Sequence, residues 1–177
     1  IAANASKSLT LKGALHTRGI VNIENSITIK GNNKLDGMPN RGVSLSVASG
    51  SANISGSVTL PDGNALFVKS GSLGIGGDVN MASVVYNYGK LYILGNLNVD
   101  WSKTKYISDY DGKDDDMRKG YSLKNGQTIG TVDAYLYIGG TNDLKFYGYV
   151  QNFGEIYSNA GMRVRGWCSM PGSAIMC

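Results

Sequence analysis

The sequence predicts an all-β fold, a parallel β-solenoid (β-helix), and three observations predict it. One unit is written twice: Gly71-Ser-Leu-Gly-Ile-Gly-Gly-Asp-Val-Asn80 is followed by Gly89-Lys-Leu-Tyr-Ile-Leu-Gly-Asn-Leu-Asn98. Gly71, Leu73, Ile75, Gly77, Val79 and Asn80 fall on Gly89, Leu91, Ile93, Gly95, Leu97 and Asn98, eighteen residues on. Self-similarity at a short fixed period marks a solenoid. Second, the apolar residues of each copy stand two apart, or four apart across a glycine, which places them on one face of an extended strand. Third, Gly77 and Gly95 interrupt the alternation, where a strand must bend. One such circuit cannot bury its own apolar face, whereas stacked circuits can. The competing architecture is an antiparallel sandwich containing two similar hairpins.

Taken in order, residues Ile1 to Thr10 are small and polar, without a period. Gly19 to Thr28 repeats the unit, with Val21, Ile23 and Ile27 in the Leu73, Ile75 and Val79 slots and Asn25 at the corner. Ala14 and His16 are the expected inward pair ahead of it. Lys30 to Asn40 is dense in turn formers and reads as a loop. Gly50 to Thr59 is a further copy, with Ala52, Ile54, Gly56 and Val58 in register. Leu66, Phe67 and Val68 align with Val84, Val85 and Tyr86 at the same spacing. Residues 101–130 break the rhythm and read as an inserted, charge-dense loop. Val132, Ala134, Leu136 and Ile138 resume it. Val150 to Tyr157 echoes Val85 to Tyr92, so Asn87 and Asn152 are expected in one corner ladder. Met162 and Val164 are the last alternating pair. Residues 1–177 are read as a single solenoid domain, with a C-terminal cysteine loop at 166–177.

Composition narrows the function classes. The 177 residues carry a formal charge of +4, which permits a nucleic-acid partner without demanding one. No apolar run approaches the ~20 residues that span a bilayer, so no membrane span is expected. The chain opens on Ile1, and is expected to be processed or a fragment. Its two cysteines, Cys168 and Cys177, have no histidine near them in sequence; a disulfide is the expected pairing, worth roughly 2–3 kcal/mol in the chain-entropy model, with two free thiols as the alternative. A disulfide suits an oxidising, extracellular location.

Three constellations are candidates for chemistry. Asp109, Asp111, Asp114 and Asp116 surround Gly112 and are candidate Ca²⁺ ligands, because Ca²⁺ takes six to eight oxygens from a turning chain. The alternative is a solvated loop balanced by Lys113, Arg118 and Lys119. A catalytic reading needs clustered carboxylates, and Asp62, Asp78 and Asp100 are the trio that stacking could bring together. No nucleophile elbow, phosphate loop or metal-binding His pair is present. Finally, Arg163, Arg165 and Trp167 are expected on the outward face, with Tyr88, Tyr92, Tyr147, Tyr149 and Tyr157 also outward. Guanidinium and aromatic groups hold sugars or single-stranded nucleic acid by stacking and phosphate contact; the alternative is ordinary strand decoration.

The repeated unit, with Ala14-Leu-His-Thr-Arg-Gly19 leading into its first copy, resembles the soluble part of PilX-type minor pilins of type IV pili. The loop from Cys168 to Cys177 is similar to the disulfide-bounded region of pilins. The resemblance implies a β-solenoid, partnership with other pilus or cell-surface subunits, and a receptor role for DNA, glycan or a surface. The expected function is a non-enzymatic extracellular structural and adhesive module; the alternative is a carbohydrate-active β-helix enzyme, a polysaccharide lyase or hydrolase.

Overall fold

The computed structural model describes residues 8–34, 42–61, 65–100, 121–126 and 134–169, and among them every regular element is a strand. β1 (Leu9–Leu11) leads into a first circuit of β2 (Leu15–Thr17), β3 (Ile20–Ile23) and β4 (Ile27–Ile29). β5 (Asn33–Lys34) pairs antiparallel with β6 (Gly42–Val47), which opens the second circuit with β7 (Ser51–Ile54) and β8 (Val58–Leu60). The third is β9 (Ala65–Val68), β10 (Ser72–Ile75) and β11 (Val79–Met81). The fourth is β12 (Val85–Asn87), β13 (Lys90–Ile93) and β14 (Leu97–Val99). β15 (Tyr121–Asn125), β16 (Tyr135–Ile138), β17 (Leu144–Asn152), β18 (Glu155–Ser158) and β19 (Met162–Ser169) complete the described chain.

Successive circuits stack into three parallel sheets: β1-β4-β8-β11-β14 (sheet A), β2-β6-β9-β12-β15-β17-β19 (sheet B) and β3-β7-β10-β13-β16-β18 (sheet C). The fold is a parallel β-solenoid. The repeated unit is superposed on itself, Leu73 on Leu91, Ile75 on Ile93 and Val79 on Leu97. Ile23, Ile54, Ile75, Ile93 and Ile138 form one inward column, none more than 5% exposed. Burying each contributes about 1.5–3 kcal/mol, and β-branched side chains fit a pleated surface. No helix among the described residues is long and apolar enough to cross a membrane.

Gly77 and Gly95 do mark a bend, between sheets C and A, but their backbone is not left-handed. A Cβ at Gly77 would strike Ser57 Oγ, and one at Gly95 would strike Asp78 Oδ1. The space is taken by a chain of corner side chains. Ser26 Oγ accepts from Ser57 N, Ser57 Oγ from Asp78 N, Asp78 Oδ1 from Asn96 N and Asn96 Oδ1 from Asn142 N, at 2.7–3.0 Å. Left-handed backbone falls instead on the sheet B to sheet C side, at Gly50 (φ 79°), Gly71 (φ 78°) and Gly126 (φ 88°).

Four expectations are corrected. Leu66, Phe67 and Val68 lie beside Val85, Tyr86 and Asn87, one residue later than the eighteen-residue spacing gives. The cause is the corner: three residues separate β9 from β10, and two separate β12 from β13. His16 points outward; Leu15 and Thr17 face in, beside Leu45 and Val47, since a one-residue slip exchanges the faces of a strand. The span 101–130 is not loop throughout, because Tyr121–Asn125 is a strand of sheet B; residues 101–120 and 127–133 lie outside the described residues. The cysteine loop read at 166–177 does not begin at 166, because β19 runs through Ser169; residues 170–177 lie outside the described residues.

Sheet B is buried on both faces over part of its length. Val43, Ala65, Phe67, Val84 and Tyr86 form a second apolar cluster apart from the main core. Phe67 meets Tyr86 and Tyr88 edge to face, with centroids 6.5 and 5.5 Å away.

Candidate functional site

Sheet C presents two outward columns, because alternate residues of a strand face away from the core. One reads Asn22, Asn53, Gly74, Tyr92, Tyr137, Tyr157 along the solenoid. The other reads Ile20, Ser51, Ser72, Lys90, Tyr135, Glu155. Apart from the exposed Ile20, the early circuits are polar: Asn53 Nδ2 donates to Asn22 Oδ1 at 3.3 Å, and Ser72 Oγ to Ser51 Oγ at 3.1 Å. The late circuits are aromatic. Tyr137 and Tyr157 stack with centroids 5.4 Å apart and planes 3° from parallel. Tyr92 and Tyr135 meet at 5.5 Å and 44°. Gly74 separates amides from phenols, and the space that a Cβ would take there is met by Asn53 Oδ1 at 2.8 Å. The result is a terrace of four tyrosines with Lys90 and Glu155 at its side, and Tyr157, 53% exposed, on the last strand of the sheet.

The scaffold under this terrace is braced by a buried amide ladder. Asn87 Nδ2 donates to Asn125 Oδ1, and Asn125 Nδ2 to Asn152 Oδ1, both at 2.7 Å. The amino groups also donate to the carbonyls of Tyr135 and Glu155, the first residues of β16 and β18, both at 3.0 Å. The Asn87–Asn152 ladder expected from the sequence is real, with Asn125 as its middle member. All three are fully buried. Asn87 Oδ1 alone has no partner; on the preceding circuit its neighbour is Val68.

The other sequence candidates are distributed as follows. Asp109, Asp111, Asp114, Asp116 and Cys177 lie outside the described residues. Arg163, Arg165, Trp167 and Cys168 are in β19, whose register sets them beside Lys145, Tyr147, Tyr149 and Val150. Arg163 is exposed, and its Nε meets Asp143 Oδ2 at 3.2 Å. The side chains of Arg165, Trp167 and Cys168, and of Tyr147 and Tyr149, lie outside the described residues. Tyr92 and Tyr157 are outward as expected, while Tyr88 packs on Phe67. Asp78 and Asp100 sit at opposite ends of the sheet A strands, Asp78 before β11 and Asp100 after β14, so they do not converge; Asp62 lies outside the described residues. Among the described residues no group of three His, Cys, Asp or Glu side chains could hold a metal ion.

His16 is a surface hydrogen-bonding residue. Its Nδ1 lies 2.7 Å from Ser46 Oγ, and Asn33 Nδ2 lies 3.3 Å from its Nε2. If Asn33 donates, the proton of the neutral ring sits on Nδ1. Partial burial pushes the imidazole below its ordinary pKa.

Sequence reasoning singled out Tyr92 and Tyr157 but missed Tyr135 and Tyr137. The signal was present, since Ala134, Leu136 and Ile138 face inward and the intervening residues must face out. Compared with protein-family models, curated proteins and solved structures, the chain matches none.

Proposed function

We propose that this chain is a non-enzymatic structural and adhesive module outside the cell, a pilus or cell-surface component that holds a glycan on the tyrosine terrace. The observation that supports this reading best is the Tyr137–Tyr157 stack in register with Tyr92. Phenol rings at the strand spacing of about 4.8 Å offer a row of hydroxyls that both donate and accept. The exposed ring of Tyr157 adds an apolar surface for the C–H face of a sugar. A solenoid carries such a row without distortion, because each circuit fixes the next.

The experiment is affinity electrophoresis and glycan-array binding of the full chain, repeated with Tyr137→Ala and Tyr157→Ala. Binding that is present in the wild type and lost in both variants supports the terrace. Binding unchanged in both removes it. A DNA gel shift that weakens steeply between low and high salt would favour DNA as the ligand instead.

A further inference from the structure

Sheet A ends short of its neighbours. After β14 no described strand extends it, while sheets B and C continue. The chain crosses instead at 139–143 and enters the nine-residue β17, whose Leu144 and Phe146 rejoin the core. This step leaves a groove of about 840 Å³ on the outer side of sheet A. That lies within the roughly 300–1,000 Å³ typical of ligand pockets. Its floor is the outward column Thr59, Asn80, Asn98, one residue per strand. Its closed end is Thr141, Asn142 and Asp143.

The closed end is held in place before any ligand arrives. Gly140 N donates to Gly95 O and Asn142 N to Asn96 Oδ1, both at 2.9 Å. Asp143 is tied to Arg163. On the floor, Asn98 Nδ2 donates to Asn80 Oδ1 at 3.0 Å. An amide has two donor hydrogens and a carbonyl acceptor, so this bond leaves the Asn80 amino group and the Asn98 carbonyl for a ligand. They point away from each other along the column and stand farther apart than one strand spacing of ~4.8 Å. A donor and an acceptor set along one column suit successive hydroxyls of a glycan chain, each of which can play either part. Asp100 and Asp143 line the groove with Lys145, and Arg163 pairs with Asp143, so the charges balance and no net positive charge is left to attract phosphates or uronates.

We propose that this groove is a second binding site, on a different face from the terrace, for the end of a neutral glycan chain. The floor amides read hydroxyls along the chain, and the 141–143 wall stops the chain from passing through.

The test titrates the full chain with cellohexaose, chitohexaose and maltohexaose, and with a hyaluronan hexasaccharide as the anionic probe, following binding calorimetrically. The variants are Asn80→Ala/Asn98→Ala, the size-conserving Asn98→Asp, and Tyr137→Ala/Tyr157→Ala. At least one neutral probe is expected to bind and to lose about tenfold in affinity in the asparagine double variant, as two neutral hydrogen bonds disappear. Asn98→Asp, which keeps the side chain's volume, guards against a packing artefact and is expected to shift that affinity too. The tyrosine variant is expected to retain this binding event. Binding lost only in the tyrosine variant overturns the groove and leaves the terrace standing; binding lost only in the asparagine variants does the reverse. Failure of every neutral probe to bind at millimolar concentration, or tighter binding of hyaluronan that depends on Asn98, overturns the proposal.

Discussion

Tyr137 and Tyr157 lie flat on one another, 3° from parallel, because the strands that carry them are paired in register with no bulge between them. Tertiary register, not rotamer preference alone, makes the stack. Such a pair is worth about 0.5–1.5 kcal/mol beyond its buried area. The two rings are therefore expected to be coupled by about that much, while each single alanine variant also loses the area its ring buries, more for Tyr137 than for the exposed Tyr157. A double-mutant cycle in urea checks this. Fully additive losses would show that the rings do not interact.

The amide ladder predicts a large asymmetry between two asparagine pairs. Asn125→Leu takes one buried partner from Asn87 Nδ2 and one from Asn152 Oδ1. Each buried group left short of a partner costs about 1–3 kcal/mol, so a loss of about 2–4 kcal/mol is expected. Asn98→Ala removes a bond of the same kind between exposed or half-buried side chains, and is expected to stay within about 0.5 kcal/mol. Chemical denaturation of both variants decides the matter; equal effects would refute the role of burial.

Gly77→Ala is expected to destabilise by about 1–3 kcal/mol, the usual range for overpacking, because the new methyl meets Ser57 Oγ and, at 2.8 Å, Ser57 N. Gly13→Ala has nothing within 4 Å of the added carbon, and is expected to be neutral or slightly stabilising. Melting temperatures of the two variants make the comparison. A harmless Gly77→Ala would mean that the corner can spread.

His16 gives a pH dependence of known sign. Burial keeps the folded imidazole neutral to lower pH than in the unfolded chain. As pH falls past the unfolded value of about 6.5, the unfolded state takes up the proton first, and stability declines. The decline ends below the lowered folded value. The melting temperature is expected to be lower near pH 5.5 than near pH 7.5, with the difference reduced in His16→Gln. An identical pH response in that variant would acquit the histidine.

If Asp109, Asp111, Asp114 and Asp116 hold Ca²⁺, transfer from calcium to EDTA buffer lowers the melting temperature, since a ligand that binds only the folded state stabilises it by mass action. Coincident melts would dismiss the site.

The sequence by itself determined the solenoid. A period of two with glycine or asparagine at the corners gives each circuit one apolar inner face, and like faces stack. It also determined which residues face inward in β10, β11, β13 and β14, and it identified Asn87 and Asn152 as ladder members. What it could not determine was register across corners of unequal length, because one extra residue between β9 and β10 moves Phe67 from Val85 to Tyr86 without altering any local pattern. Only the tertiary structure inserted Asn125 into the ladder, turned His16 outward, gathered four tyrosines on one face, and ended sheet A early to open a groove. Those outcomes depend on which circuits become neighbours, and neighbours in a solenoid are separated in sequence by the very loops whose length carries no periodic signal.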